Sequence, residues 1–261
     1  MAMVFVLVLV LLMVTSWILG LSSMEATRQD NALQNEQQAY LLRIQGALKN
    51  WYQQHAAAVE ASTAPINIVT VLSTLGFPLK WHVTGASSHQ LIQNNIAYHV
   101  FAVWIPGSAA ASASMDLATG IFTPGSAKAY ELVDGFTLES GLVLQTTRTL
   151  QKDANRLQEM FRADTLQDEQ HQINWNHFRA QDCSQVESDE MPCLDTYVAL
   201  NQARLHALAG LDPSDEWDAW GSFLQVSNLL DSNTHAPPYT MALESVTPWG
   251  AIIRIFAIQP L

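Results

Sequence analysis

The chain has 261 residues, 49% of them apolar and 14% charged, with 24 acidic against 12 basic side chains and a formal charge of -12. Length and apolar content suffice for at least one sizeable core. The acidic balance, with no basic cluster anywhere, argues against nucleic acid as a partner and against electrostatic adhesion to anionic lipid, since both need grouped Lys and Arg.

Residues 1–21 read MAMVFVLVLVLLMVTSWILGL, a run without charge in which Thr15 and Ser16 are the only hydroxyls. As a helix it spans about 30 Å. Three readings compete: a secretory signal, a plain membrane anchor and a filament-forming helix. A secretory signal carries a positive start and an apolar core of roughly 7–15 residues. Here no Lys or Arg precedes Arg28, and the run is longer. A freshly translated anchor usually has basic residues on its cytoplasmic flank. A chain that opens directly on apolar residues reads as one whose basic leader has been removed, with Met1 as the processed N-terminus; the alternative is Met1 as the start codon.

Residues 22–59 contain no proline, and Gly46 is their only glycine. Leu33, Tyr40, Ile44, Leu48 and Trp51 fall on one helical face, with Gln37 and His55 at the intervening steps, while Gln, Asn, Glu and Arg crowd the other. One helix is therefore expected through to about Ala58, some 85 Å by the rise per residue. It is apolar all round over 1–21 and amphipathic over 22–60, and Thr63 and Pro65 end it.

Further along, INIVTVLSTLG (66–76) predicts a short helix or turn with Gly76 as its cap. A strand is expected over 79–84, and NIAYHVFAVWI (95–105) is the clearest one, rich in aromatic and β-branched residues. A small-residue loop follows. Residues 135–145 carry another expected strand, so 61–148 reads as the first part of a β head packed on the N-terminal helix. From Thr149 the period turns helical, through Leu150, Ala154, Leu157 and Phe161. Helices are expected there, over 166–179 and from about Leu194 to Ala209, which makes 149–210 a helical insertion. Strands return at 221–228, 239–245 and 251–258, so that 211–261 completes the head. The fold class is α+β: a long N-terminal helix on an antiparallel β head with a helical insertion.

The apolar opening, the amphipathic continuation, the mixed head, the DAWG turn before a strand (Asp218, Ala219, Trp220, Gly221) and the later PWG (Pro248, Trp249, Gly250) together resemble the type IV pilin superfamily, which includes pseudopilins and conjugative thin-pilus pilins. The resemblance covers residues 1–60 and 211–261 and is silent between them. It implies a structural subunit, a pilin or a minor or tip pilin, that polymerises through the apolar helix. Met1, Phe5, Leu9, Leu12, Trp17 and Leu21 would then belong to the filament or membrane helix. The implied partners are other copies or related pilins, with the inner membrane as host before assembly, a periplasmic head, and an extracellular filament afterwards. The chain departs from the pattern at Phe5, where the family usually has Glu, and at Ser22, where it usually has Pro. Subunits without that glutamate are typically minor or tip pilins. The alternative is a bitopic inner-membrane assembly factor of a pilus or secretion system with a periplasmic domain.

No enzyme chemistry is expected. The eight histidines are scattered, and neither HExxH nor a nucleophile elbow occurs. Cys183 and Cys193, in CSQVESDEMPC, suit a disulfide if the head is exported, with free thiols or a metal as alternatives. No cofactor or metal is expected, although DPSDEWD (212–218) offers carboxylates of the kind calcium takes. Of the tryptophans, Trp17 sits where an interface anchor would, and Trp51, Trp81 and Trp104 are expected to fill the space between helix and sheet.

Overall fold

The computed structural model describes residues 2–108, 112–167, 198–200, 211–227 and 240–258; within the first 26 residues the side chains described are those of 13, 15–17, 24 and 25. Its elements are α1 (Ala2–Glu60), α2 (Ile68–Thr74), β1 (Thr84–Ser87), β2 (Leu91–Gln93), β3 (Ile96–Tyr98), β4 (Val100–Ile105), β5 (Ser114–Met115), β6 (Phe122–Thr123), β7 (Ala129–Asp134), α3 (Gly135–Gln167), β8 (Val198–Ala199), β9 (Gln225–Ser227), β10 (Thr240–Val246) and β11 (Ile252–Ile258). The class is mixed α+β with a long N-terminal helix and antiparallel sheets.

Two compact units interleave along the chain. The first takes Met1–Trp51, Ala64–His89 and Val100–Asp134; the second takes Tyr52–Thr63, Gln90–His99 and Gly135–Leu261.

In the first unit β4 lies between β1 and β7, with Ala102 opposite both Ala86 and Leu132. Of the α1 stripe read from the sequence, Ile44 and Leu48 are buried, Tyr40 and Trp51 are half-buried and Leu33 is exposed, while Leu41, outside that stripe, is buried. Polar residues beside it anchor the helix: the Gln45 amide donates to the Leu132 carbonyl at 2.6 Å, and the Gln38 amide to Glu131 at 2.5 Å. Tyr40 packs edge-on against Phe77 and Trp81, and its hydroxyl donates to the Pro78 carbonyl. Asn67 caps α2 by accepting from Thr70 N. Gly76, at φ +73°, closes α2: its N–H donates to Ser73 O and Phe77 N–H to Leu72 O, the paired bonds of a left-handed C-terminal cap.

In the second unit the sheet order is β11-β10-β9-β8, and α3 packs on it. Leu150, Ala154 and Leu157 of α3 join Leu200, Leu211, Leu224, Val226, Met241, Leu243 and Ala257 in one buried cluster. Strand β11 alternates as a half-covered sheet must, with Ile253, Ile255 and Ala257 turned to this core and Ile252, Phe256 and Ile258 outward.

Several expectations are corrected. The strand over 79–84 is instead a 3-10 turn at Lys80–His82, with Trp81 and His82 in the left-handed region. The single strand over 95–105 is two strands broken at His99, because β3 pairs with β2 while β4 pairs with β1 and β7. The strand over 135–145 is the start of α3, which runs on to place Leu150, Ala154 and Leu157 in the core, so that tertiary packing overrides local β preference. Val198–Ala199 is a strand paired to β9, which cuts into the helix expected from about Leu194 to Ala209. The helix over 166–179 lies almost wholly outside the described residues.

The inner-membrane placement, with periplasmic head and later extracellular filament, is also corrected. Among the described residues no helix is long and apolar enough to cross a membrane. Glu25, Arg28, Asp30 and Glu36 interrupt the described side chains of α1, and Arg148, Lys152, Asp153 and Glu159 those of α3, whereas a span needs about 20 largely apolar residues.

Replacing a core leucine should separate packing from surface effects. Leu157→Ala or Leu243→Ala is expected to cost about 2–5 kcal/mol in chemical denaturation, and the outward-facing Ile252→Ala within about 0.5 kcal/mol.

Candidate functional site

Two features stand out, at opposite ends of α1. The first is its N-terminal stretch. The backbone is helical from Ala2, which places Phe5, Leu9, Leu12 and Leu21 on one continuous helix with Trp17. The described side chains there are open: Met13 is 67% exposed, Trp17 74% and Met24 59%. None of the described side chains before Gln37 is buried. Met1, Cys183 and Cys193 lie outside the described residues.

The second feature is a buried polar junction at the C-terminal end of α1. Glu60, the last residue of the helix, is buried, and its Oε1 receives two hydrogen bonds: one from the Tyr52 hydroxyl two turns back, the other from His99 Nδ1 at 2.9 Å. An acceptor on Nδ1 assigns the imidazole hydrogen to that nitrogen. Gln90 adds its amide to the Glu60 carbonyl at 2.6 Å and to Oε2 at 3.4 Å. Two separated stretches, the end of α1 and residues 90–99, thus converge on one carboxylate.

The turn between β2 and β3 makes this possible. Asn94 and Asn95 both take positive φ, as a two-residue hairpin requires, and the hairpin returns the chain to His99. Gly135 lets α3 begin against this point. Its N–H donates to the His99 carbonyl at 3.1 Å, and a Cβ there would meet that carbonyl and stand 2.7 Å from the Tyr52 hydroxyl.

A second carboxyl enters from α3. Glu139 is fully buried; its Oε2 accepts from the Trp220 indole at 2.8 Å, and its Oε1 has no partner. Trp220 is aimed by the DAWG turn. Asp218 Oδ1 accepts from Trp220 N at 2.9 Å and Ser222 N at 2.8 Å, Oδ2 accepts from the Ser245 hydroxyl at 2.8 Å, and Gly221 supplies the φ of +82°. Thr146 Oγ1 accepts Ala219 N at 3.0 Å, tying the same turn to α3. The motif read from the sequence as a turn is thus also the device that carries an indole to a buried acid.

Electrostatics set the protonation of this junction. Burial, foremost, raises Glu139 from its ordinary 4.5 to about 8; the Trp220 bond opposes the rise and the Glu60 charge adds to it. Burial and the Glu60 and Glu139 charges hold the Tyr52 hydroxyl far above its usual range, so it serves as a donor. A separate carboxyl in the unit behaves similarly. Burial, and then Asp215, raise Asp153 to about 7 against the pull of Lys152, and neither Asp153 oxygen has a hydrogen-bond partner.

The acidic run at 212–218 is engaged in structure. Asp212 caps the 3-10 turn at Ser214, Asp215 pairs with Lys152, and Asp218 builds the Trp220 turn. Among the described residues no three His, Cys, Asp or Glu side chains gather as a metal site would require. Trp51 lies tilted against Phe101 and Trp104 against Phe122, and Trp81 meets Tyr40 edge-on, each tryptophan half-buried.

Sequence reading missed Glu60, His99 and Glu139. The available signal was His99 itself, a polar residue inside an apolar run. Nothing in the sequence pointed to its partners. No family model, curated protein or solved structure matches the chain.

Two tests follow from the junction. An acid whose folded value lies above its unfolded one favours the folded state below the unfolded value and loses that contribution as pH rises through the folded value. For Glu139 and Asp153 the window runs from about 4.5 and 3.8 up to about 8 and 7. Thermal stability should therefore fall as pH rises through that window. The double variant Glu139→Gln, Asp153→Asn should flatten the profile. Gly135→Ala should cost about 1–3 kcal/mol by urea denaturation, because backbone, and not a flexible side chain, has to yield.

Proposed function

We propose that this protein is a structural subunit of a pilin-like filament, associating with copies of itself or with related subunits through the N-terminal part of α1. The observation that carries the reading is that α1 is continuous over 59 residues, yet among its described side chains the first buried one is Gln37. The preceding sequence is the most apolar in the chain. Apolar surface left in water favours association at roughly 25 cal/mol per Å2 removed, and a helix apolar all round has to be covered on every side. A bundle of like helices covers it. Val, Leu and Met dominate the stretch, so such a bundle packs by ridges into grooves.

The sequence resemblance supports the same reading, and the antiparallel sheets with a long N-terminal helix are compatible with it. Phe5, in place of the usual glutamate, fits a minor or tip subunit. The role is non-catalytic: mechanical display of the folded units on an assembling helix.

The test is assembly by the full chain. Sedimentation and negative-stain microscopy should find polymers or mixed polymers, and the double variant Leu12→Glu, Trp17→Glu should shift the chain to monomer with an unchanged circular dichroism spectrum. Each buried charge costs several kcal/mol, so the dissociation constant should rise at least about 100-fold. An unmodified chain that stays monomeric at all accessible concentrations, or a variant that assembles as well as the parent, would refute the proposal.

A further inference from the structure

Buried acids without partners are costly, and natural interiors leave few of them. The second unit places one at the convergence of three chain stretches. Glu139 of α3 faces Tyr52 and Glu60 from the last turns of α1 and Trp220 from the turn behind it, and His99, from the link between β3 and β4, bonds the same Glu60. Gln90 lies on the far side of Glu60, and Asp218 is in the Trp220 turn with its oxygens given to Trp220 N, Ser222 N and Ser245. Glu139 Oε1 and His99 Nε2 are both buried and both lack a hydrogen-bond partner. Gly135 brings α3 so close that nothing larger fits between it and the His99 carbonyl.

We propose that Glu60, His99 and Glu139 form a proton-operated latch, closed while Glu139 carries a proton and opened when it loses it. In the closed state the junction holds one carboxylate, and the Tyr52 and His99 donors satisfy it. The proton on Glu139 keeps that side chain neutral beside Glu60 while its other oxygen accepts from Trp220. When the proton leaves to solvent, two carboxylates share a dry space and compete for the one Tyr52 hydroxyl hydrogen. His99 Nε2 is buried too far from water to gain a partner without movement. The cheapest relief is to let water in. The pieces that yield are those held by the junction: residues 52–60 at the end of α1 and the 90–99 hairpin. The large core of Leu150, Leu157, Leu224 and Leu243 has no part in the junction and keeps α3 on its sheet. The device is independent of whether the chain assembles, because every group in it lies within one unit.

Hydrogen exchange on the full chain, corrected for intrinsic rates, tests this between about pH 6 and about pH 9. Peptides covering 52–60 and 90–99 should lose protection by about tenfold per pH unit as pH rises toward the Glu139 value of about 8 and level off above it, while peptides over β4 and β10 hold theirs. The loss should persist in Asp153→Asn, which removes the other acid raised into this range, and vanish in Glu139→Gln. Should the glutamine variant not fold, Trp220→Phe decides the matter: without the indole the charged form loses a donor, and the transition should move to higher pH. Equal protection at both pH values, a loss spread evenly over all strands, a glutamine variant that opens like the parent, or an unmoved transition in Trp220→Phe would each overturn the latch.

Discussion

A carboxylate kept out of water at the last residue of α1 is the constraint around which much of the second unit is arranged. Stripping such a group of solvent costs several kcal/mol, which only donors held in good geometry can offset. Tyr52 supplies one from the same helix, two turns earlier, and His99 and Gln90 supply others from a stretch that begins thirty residues later in the chain. Satisfying Glu60 therefore fixes where the β2-β3 hairpin lies against the end of α1. The hairpin in turn presents the His99 carbonyl that receives the first N–H of α3. Once that approach is made, the next acid on α3 has no room to be charged. Burial, foremost, raises the protonation of Glu139, and the Glu60 charge adds to it.

The two ends of α1 thus face opposite physical problems. At the C-terminal end the difficulty is polar and is solved within the chain, by named partners at hydrogen-bond distance. At the N-terminal end it is apolar: Met13, Trp17 and Met24 stand open, on a helix with no described buried side chain before Gln37. Polar problems have directional, local solutions. Apolar surface has only area to offer, and any complementary surface, including another copy, reduces it. Between the two lies the stretch at Gln38, Tyr40, Gln45 and Leu48, where donors beside the buried stripe fix the helix on β7 and on the 77–82 turn.

Legibility varied with the range of the interaction. The α1 stripe, the Gly76 cap and strands β9, β10 and β11 could be read directly, because periodicity, capping and turn chemistry act over a few residues. The start of α3 could not. Phe136, Leu138 and Val143 look like strand residues, and the choice of helix depends on Leu150, Ala154 and Leu157 reaching a core assembled from β9, β10 and β11. The break at His99 was equally hidden. An apolar run that looks like one strand is divided because its two halves pair with different partners. The apolar opening looked long enough to lie in a bilayer, but among the described residues no helix meets that requirement.

Sequence alone determined the long helix and its buried face, the turn at Asp218 to Gly221 and the acidic, mixed character of the chain, since each is set by residues close to one another. Only the tertiary structure decided that Trp220 meets Glu139, that Glu60 meets His99, and that two acids end in one dry space. Those encounters join residues 39 and 81 positions apart. Burial, which sets their protonation, is a property of the packed chain and of no segment within it.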